Sequence, residues 1–191
     1  KYAKDYFIFS KGHACLALYP ILVDIGFFGL EILETYGKEG SILGGHPDHF
    51  IPGVEISTGS LGHGLSVACG LALGAKLDKK DSVAVALLGD GECNEGSTWE
   101  AAIFGSSKQL GNLVAIVDNN KIGATDYSSK FMGSGQMAER WRSFGWGTVV
   151  VDGHDFDQLL YAFQGTRSGG LHQPYAIIAE TIKGKGVSFM E

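Results

Sequence analysis

Two short segments of the chain place oxygen-bearing side chains next to flexible backbone. Residues 89–92 read Gly-Asp-Gly-Glu, and residues 118–122 read Asp-Asn-Asn-Lys-Ile. Carboxylate and carboxamide oxygens, as in Asp90 and Asn120, are hard ligands that suit Mg²⁺ or Ca²⁺ better than a soft metal. Two protein oxygens are too few for an all-protein cage, but Mg²⁺ commonly completes its coordination with phosphate and water. Because glycine lets backbone amides approach an anion closely, the two segments together predict a diphosphate held through a metal.

Either segment alone is better explained by a simple turn, since Gly-Asp-Gly and Asn-Asn are both common at strand ends. Their spacing favours the chemical interpretation. Thirty residues separate Asp90 from Asn120, which is room for one helix and one strand, as a crossover between parallel strands requires.

The surrounding pattern predicts a scaffold that brings these segments together. Short, nearly all-apolar runs predict buried strands at Val83–Leu88, Leu113–Asp118, Thr148–Asp152 and Tyr175–Glu180. Helical patterns lie before and between them, at Ala14–Ile25, His63–Leu77, Glu95–Leu110, Gln136–Phe144 and Asp155–Thr166. This alternation predicts a doubly wound α/β fold with a mainly parallel sheet and helices on both faces. Ligands of such sheets bind beyond the carboxyl ends of the strands, where both candidate segments lie.

Composition narrows the function classes. The chain has 191 residues, of which 45% are hydrophobic and 19% charged, as is typical of one globular domain. A formal charge of −6 argues against nucleic acid or an anionic membrane as partner. Cys15, Cys69 and Cys93 form no CxxC pair, so neither a disulfide framework nor a zinc ribbon is indicated. No membrane-spanning run or signal peptide is apparent, which makes the cytoplasm the expected location.

The sequence has no P-loop, and residues 59–64 read GxxGxG, not the GxGxxG of nicotinamide-binding proteins.

The GDG and NN segments resemble the fingerprint of thiamine-diphosphate enzymes, and further motifs resemble one family among them. These motifs read SKGHA at residues 10–14, GHPD at 45–48, STGSLGHG at 57–64, GDGECNEG at 89–96 and DNNKI at 118–122. They occur in the order of the transketolase family and extend over much of the chain. A 1-deoxyxylulose-phosphate synthase is disfavoured, because residues 44–48 and 57–64 read as transketolase.

The resemblance implies a cofactor site. Asp90, the Asn120 side chain and the Ile122 carbonyl would bind Mg²⁺, with Ca²⁺ as a substitute. The Gly91 amide and His13 would contact the diphosphate. Asn120 would contact the cofactor as well as the metal.

It also implies residues around the reaction centre. Gly59, Ser60 and Leu61 would form the loop against the thiazolium ring. His46 would hydrogen-bond the hydroxyls of the donor sugar, and His13 and His46 are both expected in catalysis because histidine can relay protons near neutral pH. Glu95 is also expected among the catalytic residues, as a member of the acidic network between two active sites at a two-fold dimer interface.

Other polar residues are expected to have no role in the reaction. His49, His63, His154 and His172 are interpreted as structural histidines, and the HxxH spacing of His46 and His49 lacks a third ligand for zinc. Glu92 and Lys121 are interpreted as solvated side chains.

The resemblance further implies a missing half-site. In the family, a glutamate from a second, pyrimidine-binding domain activates the cofactor. The sequence begins at Lys1 without methionine and stops at Glu191, soon after residues 181–186. We therefore expect one thiamine-diphosphate and Mg-binding domain over residues 1–191, truncated at both ends. We also expect a split enzyme whose partner subunit carries the pyrimidine-binding domain, two copies of each forming a heterotetramer.

The implied reaction is transfer of a two-carbon ketol unit from a ketose phosphate to an aldose. Two alternatives stay open: a specialised relative that acts on a modified sugar or forms an acyloin, and a non-catalytic scaffold subunit that keeps only the fold. The retained Asp90, Asn120, His13 and His46 argue against a scaffold, which has no need of converging metal ligands.

Overall fold

The computed structural model describes residues 4–123, 126–128, 130, 136–167 and 172–191. Its strands are β1 (Tyr6–Phe9), β2 (Ala84–Gly89), β3 (Leu113–Asn119), β4 (Gly147–Asp152) and β5 (Tyr175–Glu180). Its α-helices are α1 (Cys15–Asp24), α2 (Leu30–Leu33), α3 (Gly64–Leu77), α4 (Gly96–Ser107), α5 (Met137–Ser143) and α6 (Phe156–Arg167). Short 3₁₀ turns at Gly12–Ala14 and Gly91–Asn94 follow β1 and β2.

The strands form one sheet in the order β1-β2-β3-β5-β4, and each described pairing is parallel. The predicted α/β fold with a parallel sheet is therefore confirmed. The four predicted strands and five predicted helices are present, with ends that differ by at most a few residues. The prediction omitted α2 and β1, and β1 was omitted because four residues show too little periodicity to be distinguished from a loop.

Alternate residues of each strand face the two sides of the sheet, and helices cover both. On one face, the core packs α3, α4 and α5 against residues such as Ala86, Leu88 and Ile178. On the other face, α1 packs near Phe9, and α6 contributes Ala162 to a cluster with the strands. This two-sided burial explains why the strands read as continuous apolar runs.

Small residues bring the helices of the first face close to the sheet. Four alanines of α3 and α4 are buried in this core: Ala68, Ala72, Ala101 and Ala102. Gly105 is tighter still, because a Cβ there would lie 2.9 Å from the Leu113 Cδ2 atom. Within the part of the chain that the structure describes, no helix is both long and apolar enough to cross a membrane.

Ile178 and Val150 allow a matched test of this core, because they face each other in register on β5 and β4. Ile178 is 1% exposed and Val150 is 50% exposed. We expect Ile178→Ala to lower the free energy of unfolding by about 2–5 kcal/mol, because it removes buried methyl groups and leaves a cavity. Val150→Ala should cost less than about 1 kcal/mol, since less apolar surface is buried there. Urea titrations of both variants measure the difference, and equal losses would contradict the assigned burial.

Candidate active site at the carboxyl edge of the sheet

The two segments with the chemically unusual side chains meet at one edge of the sheet. β2 and β3 are adjacent and in parallel register, with Gly89 opposite Asp118. The chains that follow them stay close, since a Cβ on Gly91 would lie 3.7 Å from the Gly123 Cα atom. Residues 89–92 and 118–122 thus lie side by side, as their spacing predicted.

Asp90 has the features of a cation ligand. Its residue is only 2% exposed, and its Oδ1 atom accepts a hydrogen bond of 2.8 Å from the Gly91 amide. Its Oδ2 atom is buried without a hydrogen-bond partner among the described residues. A buried carboxylate oxygen that lacks a partner is costly. A divalent cation at this oxygen would remove that cost, so the site fits a bound metal.

Asn120 shapes the second loop of the site. Its Oδ1 atom accepts a hydrogen bond of 3.0 Å from the Ile122 amide, which fixes the loop as a turn. The described residues include no cluster of three or more His, Cys, Asp or Glu side chains that could hold a metal. A metal next to Asp90 would therefore draw its other protein ligands from amide or carbonyl oxygens, which are ligands that Mg²⁺ accepts.

Asp118 ties together the ends of three strands. Its carboxylate accepts hydrogen bonds from the ammonium group of Lys11, which follows β1, and from the hydroxyl of Thr181, which follows β5. The Asn120 amide nitrogen lies 3.4 Å from the same carboxylate. Burial alone would raise the pKa of Asp118, but the hydrogen bond and charge of Lys11 outweigh it and hold that pKa below its usual range. The ion pair thus persists at neutral pH beside the candidate metal ligand.

His13 and His46 are brought to one place by two glycines. A Cβ on Gly12 would lie 2.9 Å from the Gly59 amide nitrogen, so the SKGHA segment packs directly on the 57–62 loop. Gly59 has φ +140°, and a Cβ there would lie 2.9 Å from the His46 ring. Side chains larger than hydrogen do not fit at either contact. The structure therefore places the His13 segment, His46 and Gly59 close together.

A buried tyrosine hydrogen-bonds the main chain of His46. The Tyr19 hydroxyl lies 2.9 Å from the Gly44 carbonyl and 3.0 Å from the His46 carbonyl. Tyr19 itself is fully buried in α1. The loop that presents His46 is thus anchored to the core, although no sequence pattern indicates this contact.

The remaining predicted site residues lie on the same loop or beside it. Ser60 is exposed and Leu61 is half-buried, between the two positive-φ residues Gly59 and Gly62. Glu95 is exposed at the start of α4. It lies against Gly62, because a Cβ on that glycine would be 2.6 Å from the Glu95 Cβ atom.

Two polar residues that were both expected to be solvated have opposite surroundings. Lys121 is exposed and pairs with Glu180 at 2.6 Å, in agreement with the prediction. For Glu92 the prediction is wrong: the residue is 2% exposed. Its carboxylate accepts hydrogen bonds from the Ser10 hydroxyl and from the amides of Gly62 and Gly89. A glutamate in a glycine-rich loop reads as solvated because its partners are distant in sequence.

The histidines without a predicted role have varied surroundings. His154 accepts a 2.9 Å hydrogen bond at Nε2 from the Ile182 amide, which holds the chain after β5. His49 is exposed and contacts Asp48 and Ser57. His63 and His172 are exposed.

Positive charge near His13 is a feature that the sequence did not indicate. Although His13 is exposed as a residue, partial desolvation of its ring is the main cause that lowers its pKa, and the charges of Lys11 and Lys183 lower it further. Lys183 follows β5, so the chains after β1 and β5 both bring a cation to the site. A cationic surrounding of this kind suits a bound anion.

Comparison with known proteins tests the family assignment of the chain. The sequence model of one family, described as "Transketolase, thiamine diphosphate binding domain", matches residues 1–191. The chain belongs to the transketolase family. It contains that family's thiamine diphosphate binding domain, as the five motifs predicted.

The similar proteins include some that are named as one subunit of a transketolase and longer ones that are named transketolase. One subunit of the apulose-4-phosphate transketolase from Phocaeicola vulgatus is 43% identical over 188 residues, covering 98% of this chain and 66% of the relative. The 6-deoxy-6-sulfo-D-fructose transketolase subunit SqwG of a Clostridium species is 38% identical over 190 residues, covering 98% and 68%. Human transketolase is 43% identical over 188 residues, covering 98% of this chain and 30% of the human protein. The chain thus spans about two thirds of the length of the two relatives that are named as subunits.

The fold is likewise that of transketolase structures. The crystal structure of transketolase from Campylobacter jejuni superimposes with a TM-score of 0.88 and 30% sequence identity. The superposition covers 94% of this chain and 29% of that chain.

The surroundings of His13 predict its titration. Because its pKa is lowered in the folded protein, we expect a midpoint below the roughly 6.5 of an unperturbed histidine. The neutral form is therefore favoured by folding. Its contribution to stability is complete above about pH 6.5 and is lost as the pH falls through the lowered pKa. NMR titration of the ring protons measures the midpoint.

Lys183→Met should move this midpoint upward, because one of the positive charges that lower the pKa of His13 is removed. Lys185→Met is the matched control, since it makes the same charge change two residues away. A His13 midpoint at or above about 6.5, or equal effects of both lysine variants, would contradict the geometry.

Proposed function

We propose that this chain is the diphosphate-binding subunit of a thiamine-diphosphate- and Mg²⁺-dependent transketolase. The enzyme would transfer a two-carbon ketol unit from a ketose phosphate to an aldose. The observation that carries the proposal is the buried, unpartnered Oδ2 atom of Asp90 at the edge where β2 and β3 end.

In this proposal Asp90, the Asn120 side chain and the Ile122 carbonyl bind Mg²⁺, for which Ca²⁺ could substitute. The hydrogen bond from the Ile122 amide to Asn120 supports this assignment, because it holds both residues in one tight turn. The Gly91 amide and His13 contact the diphosphate, with Asn120 nearby. Lys183 adds positive charge on the His13 side, which offsets part of the negative charge of a diphosphate, whereas the charge of Lys11 is already paired with Asp118.

The cofactor, when bound, supplies the carbon nucleophile and electron sink for breaking and forming bonds next to a carbonyl group. The protein's own residues would orient the substrates and move protons. His13 is kept neutral near pH 7 by its lowered pKa, so its ring can both donate and accept a hydrogen bond. His46, anchored through Tyr19 and packed on Gly59, would bind the hydroxyls of the donor sugar. Gly59, Ser60 and Leu61 would line the thiazolium ring.

A second polypeptide would complete the site. Relatives that this chain covers over most of their length are each named as one subunit of a transketolase, which implies a further subunit of another kind. We propose that the partner supplies the pyrimidine-binding domain and the activating glutamate, in a heterotetramer with two copies of each chain. Glu95 would lie at the two-fold contact between diphosphate-binding subunits, where its exposure leaves the carboxylate available.

A modified sugar is the second candidate substrate, and the names of two relatives favour it. One relative is named for apulose-4-phosphate and another for 6-deoxy-6-sulfo-D-fructose. Sequence identity to the human enzyme equals that to the first of these, at 43% each. Identity therefore favours neither the common sugar phosphates nor a modified sugar as donor.

The cofactor assignment predicts the effect of Asp90→Asn. The amide keeps the shape of the side chain but removes the negative charge that would bind the metal. We expect affinity for thiamine diphosphate in the presence of Mg²⁺ to fall by about a hundredfold or more, since a buried metal-ligand charge is lost. Calorimetric titration of the full natural chain, together with its partner subunit, measures this.

Asp157→Asn is the control, because Asp157 is an exposed aspartate on α6 and its change should leave affinity unaltered. Wild-type-like binding by Asp90→Asn would contradict the metal site.

The reaction itself is tested by donor screening of the assembled enzyme. We expect ketol transfer from either a common ketose phosphate or a modified ketose, with activity lost in His46→Ala because a donor contact is removed. Products are measured by mass spectrometry with isotope-labelled donors. Tight cofactor binding without any transfer, from every donor and with the partner present, would favour the non-catalytic scaffold.

A further inference from the structure

Glu92 is a buried carboxylate that the proposed reaction does not use. It lies on the 3₁₀ turn after β2 and is 2% exposed. Its Oε1 atom accepts hydrogen bonds from the Ser10 hydroxyl and from the Gly62 amide, the latter at 2.9 Å. Its Oε2 atom accepts a hydrogen bond of 3.2 Å from the Gly89 amide. One side chain therefore joins three separate segments.

Those three segments are the ones that carry the site. Ser10 comes directly after β1 and begins the segment that contains His13. Gly62 ends the loop of Gly59, Ser60 and Leu61, and its φ of +84° depends on glycine. Gly89 is the last residue of β2 and directly precedes Asp90.

The backbone of Glu92 adds a further tie. Its carbonyl accepts a 3.2 Å hydrogen bond from the buried Thr98 hydroxyl of α4. The residue is thus fixed to the helix behind the site as well as to the loops in front of it.

The chemistry of these contacts requires a carboxylate. Both backbone contacts are donors, and an ionised carboxylate is purely an acceptor, so all three donors are satisfied. A glutamine cannot do the same. If its oxygen takes the place of Oε1, its amide group faces the Gly89 N–H, and if it is flipped, the amide group faces the Gly62 N–H. Either way, one buried backbone donor loses its acceptor.

We infer that Glu92 is a positioning residue that holds the His13 segment, the Gly59–Gly62 loop and the Asp90 turn in the mutual arrangement that binds the cofactor. The inference rests on the proposed function for what is bound, but the three hydrogen bonds do not depend on it. Preorganised loops bind more tightly because less conformational freedom is lost on binding.

The test compares Glu92→Gln, Ser10→Ala, their combination and Glu100→Gln. Glu100 is an exposed glutamate on α4, so its variant makes the same charge change without touching the site. In the assembled enzyme we expect Glu92→Gln to weaken thiamine diphosphate binding with Mg²⁺ by about ten- to a hundredfold, the effect of one unsatisfied buried donor.

Ser10→Ala leaves both backbone donors paired, so we expect a smaller loss of about tenfold or less. The double variant should lose less binding free energy for thiamine diphosphate than the sum of the losses in the two single variants, because both changes act on one hydrogen-bond network. Glu100→Gln should bind as the wild type does.

Two readouts separate positioning from a general contribution to stability. The apparent KM for thiamine diphosphate should rise in Glu92→Gln, while kcat at saturating cofactor stays within about threefold of wild type, because bound cofactor restores the arrangement. Hydrogen exchange of the Gly62 and Gly89 amides in the cofactor-free protein should speed up about tenfold or more, selectively over the core of β3 and β5.

The outcomes are distinguishable. Unchanged affinity and unchanged exchange in Glu92→Gln would overturn the inference, as would a loss of kcat with KM unaltered. If the wild type binds no thiamine diphosphate, the proposed function fails, and selective exchange at Gly62 and Gly89 then decides the positioning role alone. If Glu92→Gln does not fold, Ser10→Ala decides: weaker binding at unaltered melting temperature supports the inference, and wild-type binding overturns it.

Discussion

The parallel pairing of β2 with β3 is the constraint on which the site depends. Gly89 lies opposite Asp118 in this register, so the chains that follow leave the sheet side by side. A shift of one residue would reverse which face each side chain points to and would bury the wrong set in the core. The apolar side chains of both strands, packed under α3 and α4, therefore fix where Asp90 and Asn120 emerge.

Two carboxylates, the half-buried Asp118 and the buried Glu92, extend this order from the sheet to the loops that follow the strands. Asp118, at the end of β3, binds Lys11 in the chain after β1 and Thr181 in the chain after β5. Glu92 connects the chain after β1, the end of β2 and the Gly59–Gly62 loop. Both groups have their acceptor oxygens used, in contrast to the Oδ2 atom of Asp90. The edge thus contains satisfied carboxylates that hold loops and one unsatisfied carboxylate oxygen that is suited to a cation.

Much of the fold could be predicted from the sequence because the strands are buried on both faces. Continuous apolar runs separated by helical patterns have few other interpretations, and the parallel sheet follows from them. β1 could not be predicted in this way, since an apolar run of four residues is too short to be distinguished from a loop.

The site was predicted in part, and the difference has a physical cause. Asp90 and Asn120 follow strands and could be found from their spacing, whereas His13 and His46 depended on resemblance to family motifs. Glu92 was misjudged because its three partners are supplied by tertiary packing and leave no local pattern. The same holds for Tyr19 beneath His46 and for Lys183 near His13.

The central claim is that the edge formed by β2 and β3 holds a metal-bound diphosphate. A crystal structure of the natural chain with its partner subunit, thiamine diphosphate and Mn²⁺ in place of Mg²⁺ tests it most directly, because anomalous scattering locates the metal without reference to the fold. We predict one strong anomalous peak for each copy of this chain, at a bonding distance of about 2 Å from Asp90 Oδ2, with Asn120 and the Ile122 carbonyl as further ligands. A cofactor bound with its metal elsewhere, or no metal at Asp90 at saturating concentrations, would contradict the account.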